Sequence, residues 1–229
     1  MFKDATIVFD LDGTLVDTAP DLTNALNDVL TRRGRAAVPA ETIRACVGHG
    51  ARVMIEEALR RASAEDDVDR MLAEFLVHYE ANIAAESRPF HGAVAALKSL
   101  AAQGTTLAVC TNKREHLSRR LLRELQIDGY FSAIAGRDTF AVSKPGPGHL
   151  TGTIALAGGR PSRAVMVGDS DIDLRAAKAA SVPAILVSFG YAASPLDGLA
   201  PEAVIDHFDE LEARATGLLN GLAASPSPA

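Results

Sequence analysis

The chain has 229 residues, of which 48% are hydrophobic, and its formal net charge is −6 at pH 7. This length is sufficient for one domain with an insert or for two small domains. The acidic balance argues against a general nucleic-acid-binding protein, because clustered Lys and Arg side chains bind a phosphate backbone. A small anionic substrate remains compatible with this charge, since a local cationic site can override it.

The sequence also limits the compartment in which we expect the protein. It contains no stretch of about 20 apolar residues, and it lacks an apolar signal segment at its start. Cys46 and Cys110 lie far apart and match no metal-binding spacing, so we expect reduced thiols. We therefore predict a cytoplasmic protein without a membrane partner.

The first predicted element is a strand that ends in "VFDLDG", and a helical insert follows it. Residues 16–86 show helical periodicity and no good strand. One apolar stripe begins near Pro20 and ends near Gly34, and a second follows Ser63, which is a plausible N-cap. The second stripe consists of Val68, Met71, Leu72, Phe75, Leu76 and Tyr79.

The remainder of the chain alternates strand-like and helix-like runs. The strand-like runs are "TTLAVCTN" (105–112), "FSAIAG" (131–136), "AVMVGDS" (164–170), "AILVSFG" (184–190) and "AVIDHF" (203–208). Continuous apolar strands between helices predict an α/β fold with a Rossmann-like parallel sheet and helices on both faces. We predict a core of residues 1–15 and 87–222, an all-helical cap at 16–86 and a disordered tail at 223–229.

Carboxylates follow two of the predicted strands. Asp10 and Asp12 end the first strand, and positions i and i+2 of a strand point to the same face, about 6.6 Å apart. At that separation two negative charges repel by roughly 2–3 kcal/mol at an effective dielectric constant of 20. A cation, a proton or solvent must offset this repulsion. Asp169, Asp171 and Asp173 form the second group.

Two simpler interpretations of the second group are incomplete. Helix capping explains one of its three acids. An EF-hand loop fits the first three ligand positions, but it requires Gly where Leu174 stands and Glu where Ala180 stands. If both strands are central in one parallel sheet, the two acidic groups converge at the edge where such sheets bind ligands. Hard oxygen ligands of this kind suit Mg²⁺.

Groups suited to bind an anion follow two further strands. Thr111 and Asn112 stand at a strand end before a predicted helix N-terminus, where a hydroxyl, an amide and free N–H groups form a natural phosphate site. Lys144 follows the next strand, in a loop that Pro145 and Pro147 restrict. Four elements of this kind, each at a strand end, favour a catalytic site over coincidence.

The motifs "DLDGTLVDT", "CTNK", "SKPGP" and "GDSDIDL" resemble those of the haloacid dehalogenase superfamily, specifically its phosphatases with a helical cap after the first strand. The resemblance covers the chain except the tail. Further segments, "VGHGARVMIEEAL", "SFGY" and "VIDHFDEL", are similar to the branch that hydrolyses 2-phosphoglycolate. This resemblance implies Mg²⁺-dependent hydrolysis of a small phosphorylated metabolite through an aspartyl-phosphate.

The resemblance also implies a role for each matching residue. Asp10 is the expected nucleophile, and Asp12 the expected acid and base. The side chains of Asp10 and Asp169 and the backbone carbonyl of Asp12 are the expected Mg²⁺ ligands. Thr111, Asn112 and Lys144 are expected to hold the phosphoryl group, with Lys144 also catalytic, and Asp173 is expected to orient Lys144 or a metal-bound water. Asp171 matches no role.

Several alternatives share the superfamily fold. The dehalogenases lack an acid at the position of Asp12, and the phosphonate hydrolases use a cap lysine, whereas residues 16–90 contain no lysine. A sugar-phosphate mutase and a pyrophosphatase remain open, and "TNK" favours hydrolysis. A non-enzymatic binding protein on this fold is a distant alternative, because a fold does not determine function.

We expect the cap to determine the choice of substrate. Gly48 and Gly50 allow the backbone to approach closely, and Arg52 or Arg44 can pair with a carboxylate. The equally weighted alternative is that "VGHG" forms only a turn between helices. The candidates for substrate contact are Thr18, Gly48, His49, Gly50 and Arg52. The sequence does not indicate the oligomeric state.

Overall fold

A computed structural model of the protein describes residues 2–191 and 200–224. Its main sheet has six strands in the order β5-β4-β1-β6-β7-β8, and each neighbouring pair is parallel. The strands are β1 Thr6–Phe9, β4 Thr106–Cys110, β5 Ala133–Ala135, β6 Ala164–Gly168, β7 Ala184–Val187 and β8 Ala203–Ile205. The predicted α/β fold with a parallel sheet is confirmed.

The central strands are apolar on both faces because helices cover both sides of the sheet. All residues of β1, β6 and β7 are buried. The covering helices are α5 Ala93–Ala102, α6 Glu115–Glu124, α7 Pro147–Leu156, α8 Asp171–Ala179 and α9 Leu211–Ala224. From β1 the chain continues to β4 and β5 on one side, and it then crosses from β5 to β6 on the other side of β1. The strand order therefore reverses between β1 and β6, which is where open α/β sheets bind ligands.

Four helices lie between β1 and α5: α1 Ala19–Arg32, α2 Ala40–Arg44, α3 Ala51–Arg61 and α4 Val68–Ala81. Helix α1 has Pro20 in its first turn, as predicted. It packs against α4, and their apolar stripes include the buried Leu26, Phe75 and Tyr79. Burial of these stripes stabilises the helices because apolar surface leaves water.

Two predictions about this insert were wrong. It contains a short strand, β2 Val16–Asp17, which pairs antiparallel with β3 Arg88–Pro89. Two residues are too few to show a strand period, and the pairing joins segments that are distant in sequence. The N-cap of α4 is Asp67, whose carboxylate accepts the Arg70 N–H at 3.1 Å, and not Ser63, which has a φ of 47° after α3.

The last helix, α9, includes the first two residues of the predicted tail, and the rest of that tail lies outside the described residues. No helix among residues 2–191 and 200–224 combines the length and the apolar character needed to cross a membrane. Cys46 and Cys110 are both buried and unpaired.

Candidate active site

The register of the sheet brings three strand ends together. Phe9, the last residue of β1, pairs with a residue of β4 on one side and of β6 on the other. The chain therefore leaves the sheet at the same edge through Asp10, Thr111 and Asp169. The Asp10 N–H donates to the carbonyl of Val167 at 2.8 Å, which fixes the nucleophile candidate to β6.

Lys144 lies between two acids of this edge. Its Nζ is 2.8 Å from Asp10 Oδ1 and 2.6 Å from Asp173 Oδ1, and its side chain is 2% exposed. Burial raises the pKa of Asp10 to about 7, although the charge of Lys144 opposes this shift. Burial acts to lower the pKa of Lys144, but the charges of Asp10 and Asp173 outweigh it and hold the pKa above its usual range. The ion pairs thus keep the lysine charged.

The Oδ2 atoms of Asp173 and Asp169 accept hydrogen bonds from neighbouring segments. Asp173 Oδ2 accepts the Ser170 hydroxyl at 2.7 Å and the Ser170 N–H at 3.2 Å, which completes a capping box at the start of α8. Asp169 Oδ2 accepts the Tyr191 N–H at 2.7 Å. These hydrogen bonds to Oδ2 hold both carboxylates in fixed positions at the strand edge.

The chemistry of this edge fits a divalent metal ion. Ligand oxygens of Asp10, Asp169 and Asp173 lie within 4.8 Å of one another, and all three residues are buried. Burial, followed by the charges of Asp173 and Asp10, raises the pKa of Asp169 well above its usual value. Three buried carboxylates share the single charge of Lys144, so a hard cation with oxygen ligands would balance the site.

Asp12 lies apart from this cluster and has its own partners. Its Oδ1 accepts the Thr18 hydroxyl at 2.6 Å and the Lys113 ammonium at 2.7 Å. The Lys113 side chain is 6% exposed, and its Nζ lies 4.9 Å from the ring centroid of Tyr79 in α4. The expected repulsion between Asp10 and Asp12 is therefore offset by two lysines, one for each acid.

The groups predicted to bind phosphate lie around the same edge. The buried Thr111 accepts the Lys113 N–H at 3.1 Å through its hydroxyl oxygen. The Asn112 amide donates to the carbonyls of Gly48 and Lys144, both at 3.1 Å, while its buried Oδ1 has no hydrogen-bond partner in the described structure. Asn112 therefore joins the sheet edge to the insert.

A cavity of about 640 Å³ opens over this edge, between the sheet and helices α1, α3 and α4. Gly48, His49, Gly50 and Arg52 line it together with Asp10, Asp12 and Lys144. Gly48 and Gly50 have φ of 91° and 100°, where a side chain would be strained. Thr18 is not among the lining residues, because its hydroxyl is committed to Asp12 in the interior.

The two arginines considered as carboxylate partners already have acidic neighbours. Arg52 hydrogen-bonds Asp69 and lies 3.9 Å from Glu56, and its side chain is 46% exposed. Arg44 pairs with Asp17 at 3.5 Å and lies over the ring of Tyr191. Both arginine side chains are about half exposed, so neither is a buried cation at the cavity.

Three residues of this region carried no prediction of a role. Lys113 closes the quoted "CTNK" motif, but a lysine on a loop gives no signal of a partner 101 positions away. Tyr79 reads as an ordinary position of an apolar stripe. Tyr191, from "SFGY", contacts Asp169 through its N–H and Asp17 through its hydroxyl, so it links the acidic cluster to β2. Asp171 faces Arg175 at 3.7 Å.

Comparison with known proteins agrees with this geometry. A family model described as haloacid dehalogenase-like hydrolase matches residues 7–187. A phosphoglycolate phosphatase of Mesorhizobium japonicum is 50% identical over 208 residues, covering 90% of this chain and 92% of that protein. One from Caulobacter vibrioides is 42% identical and covers 96% and 94%.

A solved structure has the same architecture. The crystal structure of a predicted phosphoglycolate phosphatase from Haemophilus somnus superposes with a TM-score of 0.87 at 28% identity, covering 93% of this chain and 98% of that one. The chain belongs to the haloacid dehalogenase-like hydrolases, among the phosphatases of that family.

Proposed function

We propose that this phosphatase hydrolyses 2-phosphoglycolate to glycolate and phosphate, with Mg²⁺ and through a phosphoryl group carried by Asp10. The observation that carries this proposal is the separation of the two acids at the end of β1. Asp10 belongs to the acidic cluster with Lys144, and Asp12 has a different lysine and a hydroxyl. The relatives named above support the choice of substrate.

Mg²⁺ would be held by the side chains of Asp10 and Asp169 and by the backbone carbonyl of Asp12. When bound, it would neutralise the phosphoryl oxygens and so reduce their repulsion of the nucleophile. The carboxylate set supports this assignment because its acids outnumber the charge that Lys144 supplies. Asp173 would hold Lys144 in place through their 2.6 Å contact.

In the first half of the reaction, a carboxylate oxygen of Asp10 would attack phosphorus while the ester P–O bond breaks. Asp12 would give a proton to the departing glycolate oxygen. In the second half, Asp12 would take a proton from water, and the water oxygen would attack the phosphorus carried by Asp10. Phosphate would then leave and Asp10 would return as a carboxylate.

The transferring phosphoryl group would be bound by the hydroxyl of Thr111, by the ammonium of Lys144 and, once an N–H of its amide leaves the carbonyl of Gly48 or Lys144, by Asn112. These three groups come from different loops at one strand edge, and each is buried or partly buried. Donors fixed in this way stabilise the charge that develops on the phosphoryl oxygens without needing to reorganise.

The cap would consist of residues 16–86, with the core formed by 1–15 and 87–222. The pairing of β2 with β3 supports these boundaries, since it ties together the two chain crossings between the parts. Gly48, His49 and Gly50 would contact the substrate from the cap side of the cavity, where Asn112 meets the Gly48 carbonyl.

The test is phosphate release from 2-phosphoglycolate with Mg²⁺, beside β-glucose 1-phosphate, pyrophosphate and p-nitrophenyl phosphate. We expect 2-phosphoglycolate to have the highest kcat/KM by several orders of magnitude. EDTA and Asp10→Asn should each abolish turnover, and Asp171→Asn should not. Weak and even turnover across the four compounds would contradict the substrate, and full activity of Asp10→Asn would contradict the mechanism.

A further inference from the structure

Lys113 is the cavity-lining cation whose position the proposed reaction leaves unexplained. The lysines and arginines that line the cavity are Arg52, Lys113, Arg114, Arg137 and Lys144. Lys144 is held between Asp10 and Asp173, and Arg52 is paired with acids of the insert. Arg114 and Arg137 are exposed. Lys113 is thus the buried cation on the side of Asp12.

The contacts of Lys113 leave it able to bind an additional anion. An ammonium has three N–H donors. One is used by Asp12 Oδ1 at 2.7 Å, and the ring of Tyr79, 4.9 Å from Nζ, takes the cation on a second side. Lys113 itself lines the cavity, as do Asp12 and Tyr79, so a ligand in the cavity lies within reach of its remaining donor. The Tyr79 ring also gives the long side chain a fixed direction, which lowers the entropic cost of binding a ligand.

The position of Lys113 matches the chemistry of an acidic leaving group. Asp12 is the residue that meets the ester oxygen in the proposed reaction, and Lys113 is in direct contact with Asp12. In 2-phosphoglycolate a single methylene separates the ester oxygen from the carboxylate. A cation adjacent to Asp12 is therefore within reach of that carboxylate, whereas Lys144 lies beside Asp10 at the phosphoryl end.

We propose that Lys113 determines specificity by binding the carboxylate of the leaving group while it holds Asp12 in position. This inference rests on the proposed function and names the residue that selects its substrate. A neutral leaving group would not engage the third donor and would leave a buried charge with one carboxylate partner, so it would bind less well. Because Tyr79 belongs to α4, its contact with Lys113 links the position of this cation to the position of the insert.

The experiment compares kcat/KM for 2-phosphoglycolate and for 2-hydroxyethyl phosphate, which has the same length and a neutral end. The proteins are wild type, Lys113→Met, Lys113→Gln and Lys98→Met, the last removing an exposed lysine of α5. The intrinsic reactivity of each substrate cancels when the ratio of the two constants is compared between variants. Lys113→Gln keeps a donor and similar length, and it serves if Lys113→Met does not fold.

We expect the ratio to fall by about 10- to 100-fold in both Lys113 variants, the range of a charge-assisted hydrogen bond, and to stay unchanged in Lys98→Met. Equal losses for both substrates, mainly in kcat, would mean that Lys113 only positions Asp12, and would overturn the inference. A wild-type protein without preference for 2-phosphoglycolate would overturn the proposed function instead. If wild type prefers 2-phosphoglycolate but the Lys113 variants leave the ratio unchanged, the inference about Lys113 is wrong and the proposed function stands.

Discussion

Asp10 and Asp12 belong to one short segment but have different environments, and the proposed function gives them different tasks. Asp10 lies among acids, and its burial raises its pKa to about 7. Asp12 accepts a hydroxyl and an ammonium on the same oxygen. Burial favours the protonated form of Asp10 in the metal-free protein, so a bound cation would be needed to restore the carboxylate that the proposed reaction uses as its nucleophile.

The hydroxyl of Thr18 contributes to this division and can be removed without changing the side-chain shape. We expect Thr18→Val to lower kcat by about 10-fold with little change in KM, because it removes one charge-assisted hydrogen bond that orients Asp12. Thr23→Val is the matched control, since the buried Thr23 hydroxyl has no hydrogen-bond partner in the described structure. Steady-state kinetics of both variants test this prediction. An equal kcat for Thr18→Val and Thr23→Val would refute a role for the Thr18 hydroxyl.

His149 should make the free energy of unfolding fall as the pH falls below about 6.5. It is buried and its Nδ1 accepts the Lys144 N–H at 3.1 Å. Burial, assisted by the charge of Lys144, lowers its pKa from 6.5 to about 4. The unfolded chain therefore binds more protons between these values, so this contribution to stability declines as pH falls from about 6.5 to 4, by up to about 3 kcal/mol.

Urea unfolding at pH 7.5 and pH 5 measures this effect in wild type and in His149→Gln. Glutamine retains an acceptor but does not titrate, so the variant should lose less free energy of unfolding on acidification. Other groups titrate in both proteins and cancel in the comparison. The same pH dependence in both would show that His149 is not responsible.

At the level of elements, the turn between β1 and β2 has a tight steric requirement at the site. Gly13 has a φ of 83°, and a Cβ there would lie 2.4 Å from Asp169 Oδ2 and 2.7 Å from the Tyr191 ring. The turn is fixed by the Gly13 N–H, which donates to the Val16 carbonyl at 3.0 Å. The backbone at Gly13 therefore lies directly against Asp169 and Tyr191, with no room for a side chain between them.

We expect Gly13→Ala to reduce kcat/KM by at least about 100-fold, since Asp169 must move, and to lower the free energy of unfolding by about 2–4 kcal/mol. Gly104→Ala separates the two causes, because Gly104 has a φ of 79° but nothing within 4 Å of its Cβ position. It should cost about 1 kcal/mol and leave activity intact. Activity assays and urea unfolding test both, and an active Gly13→Ala would contradict the packing argument.

Elements with a local signal were predictable, and contacts between distant residues were not. The apolar runs of β1, β4 and β6 indicated a parallel sheet, and parallel pairing alone brings Asp10, Thr111 and Asp169 to one edge. The Lys113–Asp12 pair has no local pattern, because it depends on how the loop after β4 meets the turn after β1. The strand β2 exists only through its partner β3 for the same reason.

At the scale of the whole molecule, the site is a source of instability that the rest of the fold tolerates. A chain of net charge −6 buries Asp10, Asp12, Asp169 and Asp173 around one edge, with two lysines to balance them. Buried charge in excess of its partners costs free energy. The large apolar core offsets this cost, as natural proteins commonly retain strained active sites at some expense in stability.

Removing one of these charges should therefore stabilise the metal-free protein. We expect Asp10→Asn to raise the Tm in EDTA by about 3–6 °C, because it removes a poorly compensated charge while Lys144 keeps Asp173 at 2.6 Å. Asp171→Asn, at a partly exposed position paired with Arg175, should change Tm by less than about 1 °C. Mg²⁺ should raise the Tm of wild type more than that of Asp10→Asn, because binding to the folded state alone stabilises it.

Thermal unfolding of the three proteins with and without Mg²⁺ measures all of these shifts. A lower Tm for Asp10→Asn in EDTA would mean that its ion pair with Lys144 outweighs the cost of burying the acid.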